Sequence, residues 1–530
     1  MTVRRRTLSA IVIAFATSLV WGEKSTAFQS ALKLKVYRRS APGLSDRLLG
    51  STPHRPGPIK IPAGAFWYVQ PVEDLSIPRM KRLAAEVRRK KIPGLDLSDH
   101  WELTPSHLAC LRDVGRLRML ILTRTPVNDR GLAAVAHMQG LTLLAVGERT
   151  TDAGAKPIAK LARLRDLNLD RTAITDAGLR HLTALHALER LDLSGTAVSD
   201  EGLALLAKFP HLRVLVLGGR ATDRAGEALA QLKSLEELDF SQTTLTEKGL
   251  AALSKLGRLR AVTANRSSTD RSLAPLAAIR SLRSLDLSRT QVTDAGLRAL
   301  SSHPALEELA LTESAITDAA MPALAAIPHL RLLEVSDSRV TSAGLLAFAK
   351  SGALQAVSFS GTALERRDIE VLSHLTQVKS ILFNGVVLPD TIVRQMKALS
   401  AEPVAVVKPR PSTPPPTPVP AMVDHGPFPK TAFSAPRLPT TELTAPRVAE
   451  PDKTIPHPRA DREDQILQAI ALHSKTVKRG PTPQLADLRQ AIRTDDIISA
   501  QESPGIDLQD DKPEAFLGEI QVEAAPRRKP

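Results

Sequence analysis

One sixteen-residue pattern returns along most of this chain at a nearly constant spacing. Leu188–Leu203 reads LERLDLSGTAVSDEGL, Leu164–Leu179 reads LRDLNLDRTAITDAGL, and Leu282–Leu297 reads LRSLDLSRTQVTDAGL. A pattern that recurs every ~20–50 residues is typical of a solenoid, because one unit cannot bury its apolar face without its neighbours. The repeat therefore favours an extended surface, and not a catalytic pocket, as the functional site.

Thirteen units follow one another, and their first apolar residues are 23 to 25 positions apart. Inside a unit, Leu191 and Leu193 have the period of two that predicts a short strand, whereas Leu179, Leu182 and Leu185 have the spacing of one helix face. Strands of successive units must then lie parallel, with the helical segment as crossover. The units begin at Ile92, Leu117, Leu141, Leu164, Leu188, Leu212, Leu235, Leu259, Leu282, Leu306, Leu330, Leu354 and Val378.

A hydroxyl or carboxyl side chain precedes each predicted helix. Thr175 with Asp176, and Ser199 with Asp200, stand where an N-cap oxygen accepts from the free amides of the first helical turn. We therefore expect these side chains to cap the helices of their own units.

These residues resemble the leucine-rich repeat family, whose pattern is L-x-x-L-x-L-x-x-N/C-x-L, and in particular its bacterial G-T-x-V-T-D-A-G-L type. The similarity covers about Ile92 to Leu399. It implies an α/β solenoid: a curved horseshoe with a parallel sheet on the concave side, short convex helices and a general role in ligand recognition. Threonine replaces the usual Asn or Cys, and its hydroxyl can still bind loop backbone. The replaced positions are Thr125, Thr172, Thr196, Thr243, Thr290 and Thr362.

Residues 1–27 have the features of a signal peptide. Arg4, Arg5 and Arg6 precede the apolar run Leu8–Trp21, and Ser25–Ala27 offers a small-x-small cleavage site. The run is shorter than an ordinary membrane span. We expect an exported protein, periplasmic, extracellular or at the cell surface, with an uncleaved signal anchor as the alternative.

Residues 28–91 are predicted to form a basic flank and a capping helix ahead of the repeats at 92–400. Residues 1–91 contain 18 Lys and Arg against 5 Asp and Glu, so most of the net charge of +15 precedes the repeats. Within Arg79–Lys91, Met80, Leu83 and Val87 recur at helical spacing, which indicates a helix covering the open end of the stack. An anionic membrane surface or nucleic acid is the alternative reading of this charge. The aromatic content of 3% argues against nucleic acid, since bases need stacking partners.

The last 130 residues have a different composition. Residues 401–460 form a Pro-rich linker, predicted to be disordered, with 16 prolines between Pro403 and Pro458. It reads as a spacer, or as a docking segment for a groove that recognises proline. Residues 461–530 contain two short helical patterns, around Ile466 and around Leu485, that are too short to be stable alone. They are expected to fold on a partner or on the last repeats.

Offsets are counted from the first apolar residue of each unit, so that Leu188 has offset 0. Residues at offsets 2, 4 and 6 alternate with the buried residues of the strand and should point to the concave side. At offset 4, acidic and neutral residues alternate from Asp192 to Glu334, which separates like charges and argues against the converging ligands of a metal site. Apolar residues at the same offsets suggest an exposed patch rimmed by charge, or else incidental exposed aliphatics. Three units are one residue short and have lost the buried branched residue of their loop, so these loops are either a contact edge or neutral variation. The predicted partner-binding residues are Met119, Ile121, Leu143, Ala145, Asp166, Asp170, Arg190, Val214 and Val216, with Arg149 and Arg220 in two of the short loops.

Residues typical of enzymes are not found in any recognisable arrangement. The sequence has no G-x-S-x-G, phosphate-binding loop or H-E-x-x-H motif, and we expect no catalytic, cofactor or metal site. Cys110 is the single cysteine and is predicted to pack on a helix. His211, His303, His329 and His374 follow the repeat and are predicted to be surface residues.

These observations favour an exported scaffold that binds a protein partner, not yet identified, through the concave face and one rim of the solenoid. The alternative is a structural protein held to an anionic surface by its basic flank. A distant third is an F-box-like adaptor of a ubiquitin ligase, although residues 28–91 lack a convincing F-box helix pattern.

Overall fold

The computed structural model describes residues 25–39, 46–53, 57–360, 366–383, 386–388 and 390–400, together with Ile466 and Ala469. Most of the predicted signal peptide, the Pro-rich linker, the second tail helix and Thr362 lie outside these residues. In the part of the chain that is described, no helix is long and apolar enough to cross a membrane.

Thirteen short strands form one parallel sheet, one strand per predicted unit. Their central residues, such as Leu167, Leu191 and Leu215, are paired directly with one another and point into the core. The strands are β6 Gly94–Asp96, β7 Met119–Ile121, β8 Leu143–Ala145, β9 Asp166–Asn168, β10 Arg190–Asp192, β11 Val214–Val216, β12 Glu237–Asp239, β13 Ala261–Thr263, β14 Ser284–Asp286, β15 Glu308–Ala310, β16 Leu332–Glu334, β17 Ala356–Phe359 and β18 Ser380–Phe383.

A short helix returns the chain from each strand to the next. Apolar residues spaced three apart, such as Leu179, Leu182 and Leu185, are fully buried against neighbouring units, so the units share a single core. The helices are α2 Pro105–Ala109, α3 Asp129–Val135, α4 Asp152–Ile158, α5 Asp176–Leu182, α6 Asp200–Leu203, α7 Ala225–Leu229, α8 Glu247–Leu250, α9 Asp270–Ala277, α10 Asp294–Leu297, α11 Met321–Ala325, α12 Ser342–Leu345, α13 Arg366–Ser373 and α14 Asp390–Ser400. Five 3₁₀ segments, Ala204–Lys208, Ala251–Lys255, Arg298–Leu300, Asp318–Ala320 and Leu346–Lys350, extend or precede them.

The threonines at the family's Asn or Cys position bind loop backbone as expected. The Thr196 hydroxyl donates to the Leu193 carbonyl at 2.6 Å, and the Thr172 hydroxyl to that of Leu169 at 2.8 Å. The residue before these threonines often has a left-handed backbone, with φ of 58° at Arg171 and 66° at Gly195. The tight turn that ends each strand therefore repeats along one rim.

An Asp–Thr ladder joins most neighbouring units on the convex side. The first helical Asp accepts the amide N–H of the Thr or Ser that begins the next helix at 2.7–2.8 Å, and its hydroxyl at 2.6–2.8 Å. Within the described residues both bonds are present at eight junctions, which are Asp129–Thr151, Asp152–Thr175, Asp176–Ser199, Asp200–Thr222, Asp223–Thr246, Asp270–Thr293, Asp294–Thr317 and Asp318–Thr341. The expected capping role holds for Thr175, whose hydroxyl accepts from Ala177. It is wrong for Ser199, which makes no capping bond to its own helix because its hydroxyl donates to Asp176 of the preceding unit.

The glycine of the D-A-G-L segment makes room for this ladder. A Cβ on Gly178 would lie 2.3 Å from Oδ1 of Asp152, and one on Gly202 would lie 2.0 Å from Oδ1 of Asp176. Ala320 stands at the equivalent position above Asp294, and there the first turn is a 3₁₀ helix. Each unit's aspartate therefore requires a small residue in the unit that follows.

The N-terminal flank forms strands that the sequence did not predict. Strands β1 Thr26–Phe28, β2 Leu34–Arg38, β3 Arg47–Thr52, β4 Ile59–Ile61 and β5 Trp67–Pro71 pair mostly antiparallel, and β5 joins the repeat sheet through Val69 and Leu95. Helix α1, Ile77–Arg89, follows with Met80, Leu83 and Val87 buried in the shared core. The N-terminal end of the core is thereby covered.

The C-terminal end of the core is covered as well. Strand β19, Val386–Val387, turns back antiparallel on β18, and α14 buries Ile392, Val393 and Met396. Ile466, from the first predicted tail helix, is 3% exposed and belongs to the same core, and Ala469 packs against it. The chain therefore returns to the solenoid after the Pro-rich linker.

Candidate functional site: the concave face and its rim

Two columns of side chains cover the concave face, because offsets 2 and 4 of each strand point away from the core. The first column is Gly94, Met119, Leu143, Asp166, Arg190, Val214, Glu237, Ala261, Ser284, Glu308, Leu332, Ala356 and Ser380. The second is Asp96, Ile121, Ala145, Asn168, Asp192, Val216, Asp239, Thr263, Asp286, Ala310, Glu334, Ser358 and Leu382. The strand pairing thus confirms the predicted columns and the alternation of acids in the second.

Most of the predicted apolar patch is buried, which corrects the expectation of an exposed surface. Met119 is 0% exposed, Ala145 6%, Val214 2% and Val216 3%. Neighbouring strands lie only ~4.8 Å apart, so side chains that point to the same face of the sheet cover one another. Ile121 and Leu143 remain half-buried and are the accessible members of that patch.

Arg39 contributes to the burial of Met119. Its Nη1 lies 3.7 Å from Sδ of Met119, which places the end of β2 over strand β7. The charge of Arg39 also acts on Asp166, two strands further along. Sequence reasoning missed this contact, because the flank has no repeat from which its register follows.

Half-buried polar residues form the accessible middle of the concave face, from β9 to β15. Asp166, Asp239, Asp286 and Glu308 are its acidic members, with Arg190 as a cationic neighbour. Burial raises the pKa of Asp166, while the charges of Arg190 and Arg39 oppose that shift. This part of the face therefore has a predominantly negative character.

The acids of the second column influence one another despite their alternation. Burial raises the pKa of Asp239, and the carboxylates of Asp286 and Asp192 add to that rise, although the Ser241 amide donates to Asp239 at 2.8 Å. Asp192 is fixed by the Ser194 amide at 2.9 Å and by Nδ2 of Asn168 at 3.0 Å. These carboxylates are anchored to the loops, so the negative surface is held in place.

The predicted rim residues lie at the loop edge that follows the strands. Arg149 and Arg220 are exposed, and Asp170 is half-buried beside Arg171 at 3.7 Å. Arg124 makes two bonds to Asp99 on the same rim, at 2.5 and 2.6 Å. This edge presents both signs of charge.

The three shortened loops lack the usual Val, Ile or Leu, as the sequence indicates, but keep a smaller buried residue in its place. Thr150, Ala221 and Ser268 are 0%, 1% and 2% exposed and occupy the place of the branched residue. The shorter turn brings a smaller side chain into the core.

One histidine differs from its prediction. His303 is 3% exposed, with Nε2 bonded to the Ile279 carbonyl at 3.1 Å and Nδ1 accepting from the Ala305 amide at 3.3 Å. Burial lowers its pKa. His303 is a core residue. It occupies the repeat position that Ile279 and Ile327 occupy in the adjacent units, and this alignment could have predicted its burial.

Cys110 and the acidic residues make no recognisable reactive centre. Cys110 ends helix α2, and its Sγ donates to the Ser106 carbonyl at 3.4 Å. Across the described ranges no group of three or more His, Cys, Asp or Glu is placed to hold a metal ion.

The chain belongs to the leucine-rich repeat family: the profile of the leucine-rich repeat region matches residues 94–360, half of the sequence. Proteins of this family are generally scaffolds for protein–protein contacts and not enzymes. Among the curated proteins, none matches this chain.

Several solved structures are similar. An internalin from Listeria monocytogenes shares 20% identity over 56% of this chain and 87% of its own, with a TM-score of 0.37. A leucine-rich repeat protein from Leptospira interrogans shares 16% over 61% and 85%, with a TM-score of 0.37. TLR13, in its complex with ssRNA13, shares 17% over 59% and 45%, again with a TM-score of 0.37.

Proposed function

We propose that this protein is an exported scaffold that binds a protein partner on its concave face and along the adjoining loop rim. The observation that carries the proposal is the accessible negative surface formed by Asp166, Asp239, Asp286 and Glu308. A complementary partner presents Lys or Arg there, and contacts Ile121 and Leu143 with apolar groups. Charge complementarity of this kind speeds association and selects the partner.

The remaining predicted residues fit the same surface in different ways. Asp170, Arg149 and Arg220 contribute from the rim, and Arg190 provides a point of opposite charge. Four of the predicted residues are buried and support the surface that a partner would contact. They are Met119, Ala145, Val214 and Val216. Export is supported by the signal-like segment at residues 1–27.

Site-specific photocrosslinking on the full chain tests the concave face. A photoreactive residue at Ile121 or Asp239 is expected to capture a defined protein from the exported fraction, whereas one at Arg180, exposed on helix α5, is not. Equal capture from both faces would contradict the proposal. Adding excess single-stranded RNA distinguishes a protein partner from a nucleic-acid one, since RNA that abolishes capture would indicate the latter.

Charge reversal then tests the chemistry with the captured partner. Asp239→Lys is expected to weaken binding at least ~10-fold and to reduce its dependence on salt. Glu201→Lys, an exposed reversal on helix α6, is the matched control and should change neither quantity. Unchanged affinity in Asp239→Lys would exclude the negative surface as the binding site.

The basic flank supports a second candidate, attachment to an anionic surface. Arg79, Lys81, Arg82, Arg88 and Arg89 are all exposed on helix α1. Sedimentation with phosphatidylserine vesicles should then fall steeply between about 50 and about 300 mM salt, roughly as Debye screening requires. Reversal of Arg82 and Arg88 to Glu should abolish it, and retention in that variant would rule out the flank.

A further inference from the structure

The two most exposed large apolar side chains among the described residues lie on neighbouring loops. Trp101 is 73% exposed and Val72 is 53% exposed. Val72 follows strand β5 and Trp101 follows strand β6, so each stands in the loop that leads from a strand to its helix. Single exposed apolar residues are ordinary, but adjoining ones form a patch that can contact another surface.

Hydrogen bonds hold these two loops together. Nε2 of His100 lies 3.4 Å from the carbonyl oxygen of Pro71. The amide of Leu75 donates to Oε1 of Glu102 at 2.5 Å, and Nδ1 of His100 lies 2.9 Å from the same oxygen. Trp101 therefore projects from between two anchored residues, so its loop loses little freedom when the ring is buried against another surface.

Helix α1 begins beside these loops, and its exposed charges are all positive. Nη1 of Arg79 donates to the carbonyl oxygen of Asp74 at 3.1 Å, which fixes the first turn of α1 against the Val72 loop. Glu86, the one acidic residue of α1, is 8% exposed and accepts from the Ser30 hydroxyl at 2.8 Å. The exposed cations of α1 are Arg79, Lys81, Arg82, Arg88 and Arg89.

Most acidic residues of the two loops are paired with cations. Nζ of Lys33 lies 2.6 Å from the carboxylate of Glu73. Asp99 accepts two bonds from Arg124. Asp74 is exposed and opposes an anionic surface, but the five cations of α1 outnumber it. The charges around the apolar patch therefore favour a negatively charged surface.

We propose that Trp101 and Val72 enter the headgroup region of an anionic lipid bilayer, which the cations of α1 attract. This inference rests on the second candidate function above and identifies the anionic surface as a lipid one. Tryptophan suits this position because its ring is apolar while its N–H can stay near water. Interfacial binding of this kind combines buried apolar area with attraction to anionic headgroups. A polyanion without an apolar layer would engage α1 alone and leave Trp101 in water.

Tryptophan fluorescence of the full chain tests the insertion. The chain has three tryptophans, and Trp21→Phe in every sample removes the one in the signal-like segment. Vesicles contain about 30% phosphatidylserine in phosphatidylcholine that is brominated near the headgroup, and bromine quenches a ring that reaches the lipid. Emission should be quenched and blue-shifted. With Trp101→Phe added, buried Trp67 remains and the emission should change little.

Brominated vesicles without phosphatidylserine control for insertion through the apolar run at residues 8–21. That run needs no anionic lipid, whereas attraction to α1 does. Trp101 should therefore be quenched much less in these vesicles. Equal quenching in both kinds of vesicle would overturn the role of α1 in the proposed insertion.

Trp101→Ser and Leu346→Ser form a matched pair of variants. Trp101→Ser should weaken sedimentation with the phosphatidylserine vesicles at least ~10-fold, because the burial of a large apolar side chain is lost. Leu346 is 45% exposed and lies near the opposite end of the stack, so its replacement should leave sedimentation unchanged. Both sites are exposed, and thermal unfolding of both variants should match the wild type.

The outcomes separate this insertion from attachment by the basic flank alone. Salt-sensitive sedimentation without quenching of Trp101 would leave the attachment standing and overturn the insertion, as would unchanged sedimentation of Trp101→Ser. Absence of any vesicle binding would overturn both. If Trp101→Ser abolished photocrosslinking at Asp239 and the vesicles caused no quenching, the patch would belong to a protein partner and the bilayer assignment would be wrong.

Discussion

The carboxylate of Asp152 accepts two hydrogen bonds from Thr175, which lies 23 residues further along the chain: the amide at 2.8 Å and the hydroxyl at 2.6 Å. The same hydroxyl accepts from the amide of Ala177 at 3.2 Å. One carboxylate thus links two units and also orients the cap of a helix. Such chains of hydrogen bonds strengthen one another in a partly buried setting.

Replacing Asp152 with Ala should destabilise the junction by ~1–3 kcal/mol, because both Thr175 donors lose their acceptor. Hydrogen exchange of the Thr175 amide measures this, since solenoid units open locally. Glu247→Ala is the control, where no such bond exists, and should cost under ~0.5 kcal/mol. Comparable acceleration in both variants would show that the ladder contributes little.

Gly178→Ala should also destabilise, although Ala favours a helix by ~1 kcal/mol over Gly. Its Cβ would stand 2.3 Å from Oδ1 of Asp152 and force the turn or the carboxylate to move, at a cost of ~1–3 kcal/mol. A double-mutant cycle on thermal stability checks the cause. In the Asp152→Ala background the cost should shrink by at least half, and an additive result would refute the steric explanation.

His303 should make stability depend on pH. Burial lowers its folded pKa below the unfolded value near ~6.5, so the unfolded chain binds the extra proton first. Stability is therefore complete above about pH 6.5 and declines as the pH falls below it. Thermal unfolding at about pH 7.5 and about pH 5 should show a smaller decline for His303→Leu than for the wild type. Parallel declines would mean that other groups dominate.

The ion pair of Arg213 with Glu236 should contribute more than an exposed pair. Its two bonds measure 2.7 and 2.8 Å, and Glu236 is 7% exposed. Glu236→Gln should cost ~1 kcal/mol, whereas Glu227→Gln, which breaks the exposed pair with Lys255, should cost under ~0.5 kcal/mol. Local hydrogen exchange around β11 and β12 gives the comparison, and the reverse order would contradict it.

Periodicity predicted the strands, their register and the concave columns, because side-chain direction in a strand follows directly from offset. It could not predict exposure. Met119 and Val216 point to the concave side as expected, yet close lateral packing buries both, and Arg39 reaches Met119 from a segment without repeats. The period of the repeat predicts the direction of a side chain, but the exposure of that side chain depends on neighbours that are distant in sequence.

The ladder escaped sequence reasoning for a related reason. Asp176 and Thr175 stand side by side in the sequence, so a local capping role was the natural reading. The bond from Asp176 to Ser199 exists because stacking brings the helix starts of adjacent units together. The accompanying Gly202 was the available clue, since a glycine inside a helix requires a packing reason.

The ladder also bears on how such a chain can lengthen by duplication. Each unit of the ladder accepts hydrogen bonds from the following unit and donates hydrogen bonds to the preceding one. A copied unit inserted between Asp152 and Thr175 would therefore form both sets of bonds. A copy of the Glu247 unit would instead add a second junction without these two bonds. Growth by whole units is therefore neutral for the ladder along most of the stack, and at that place it adds a weaker junction.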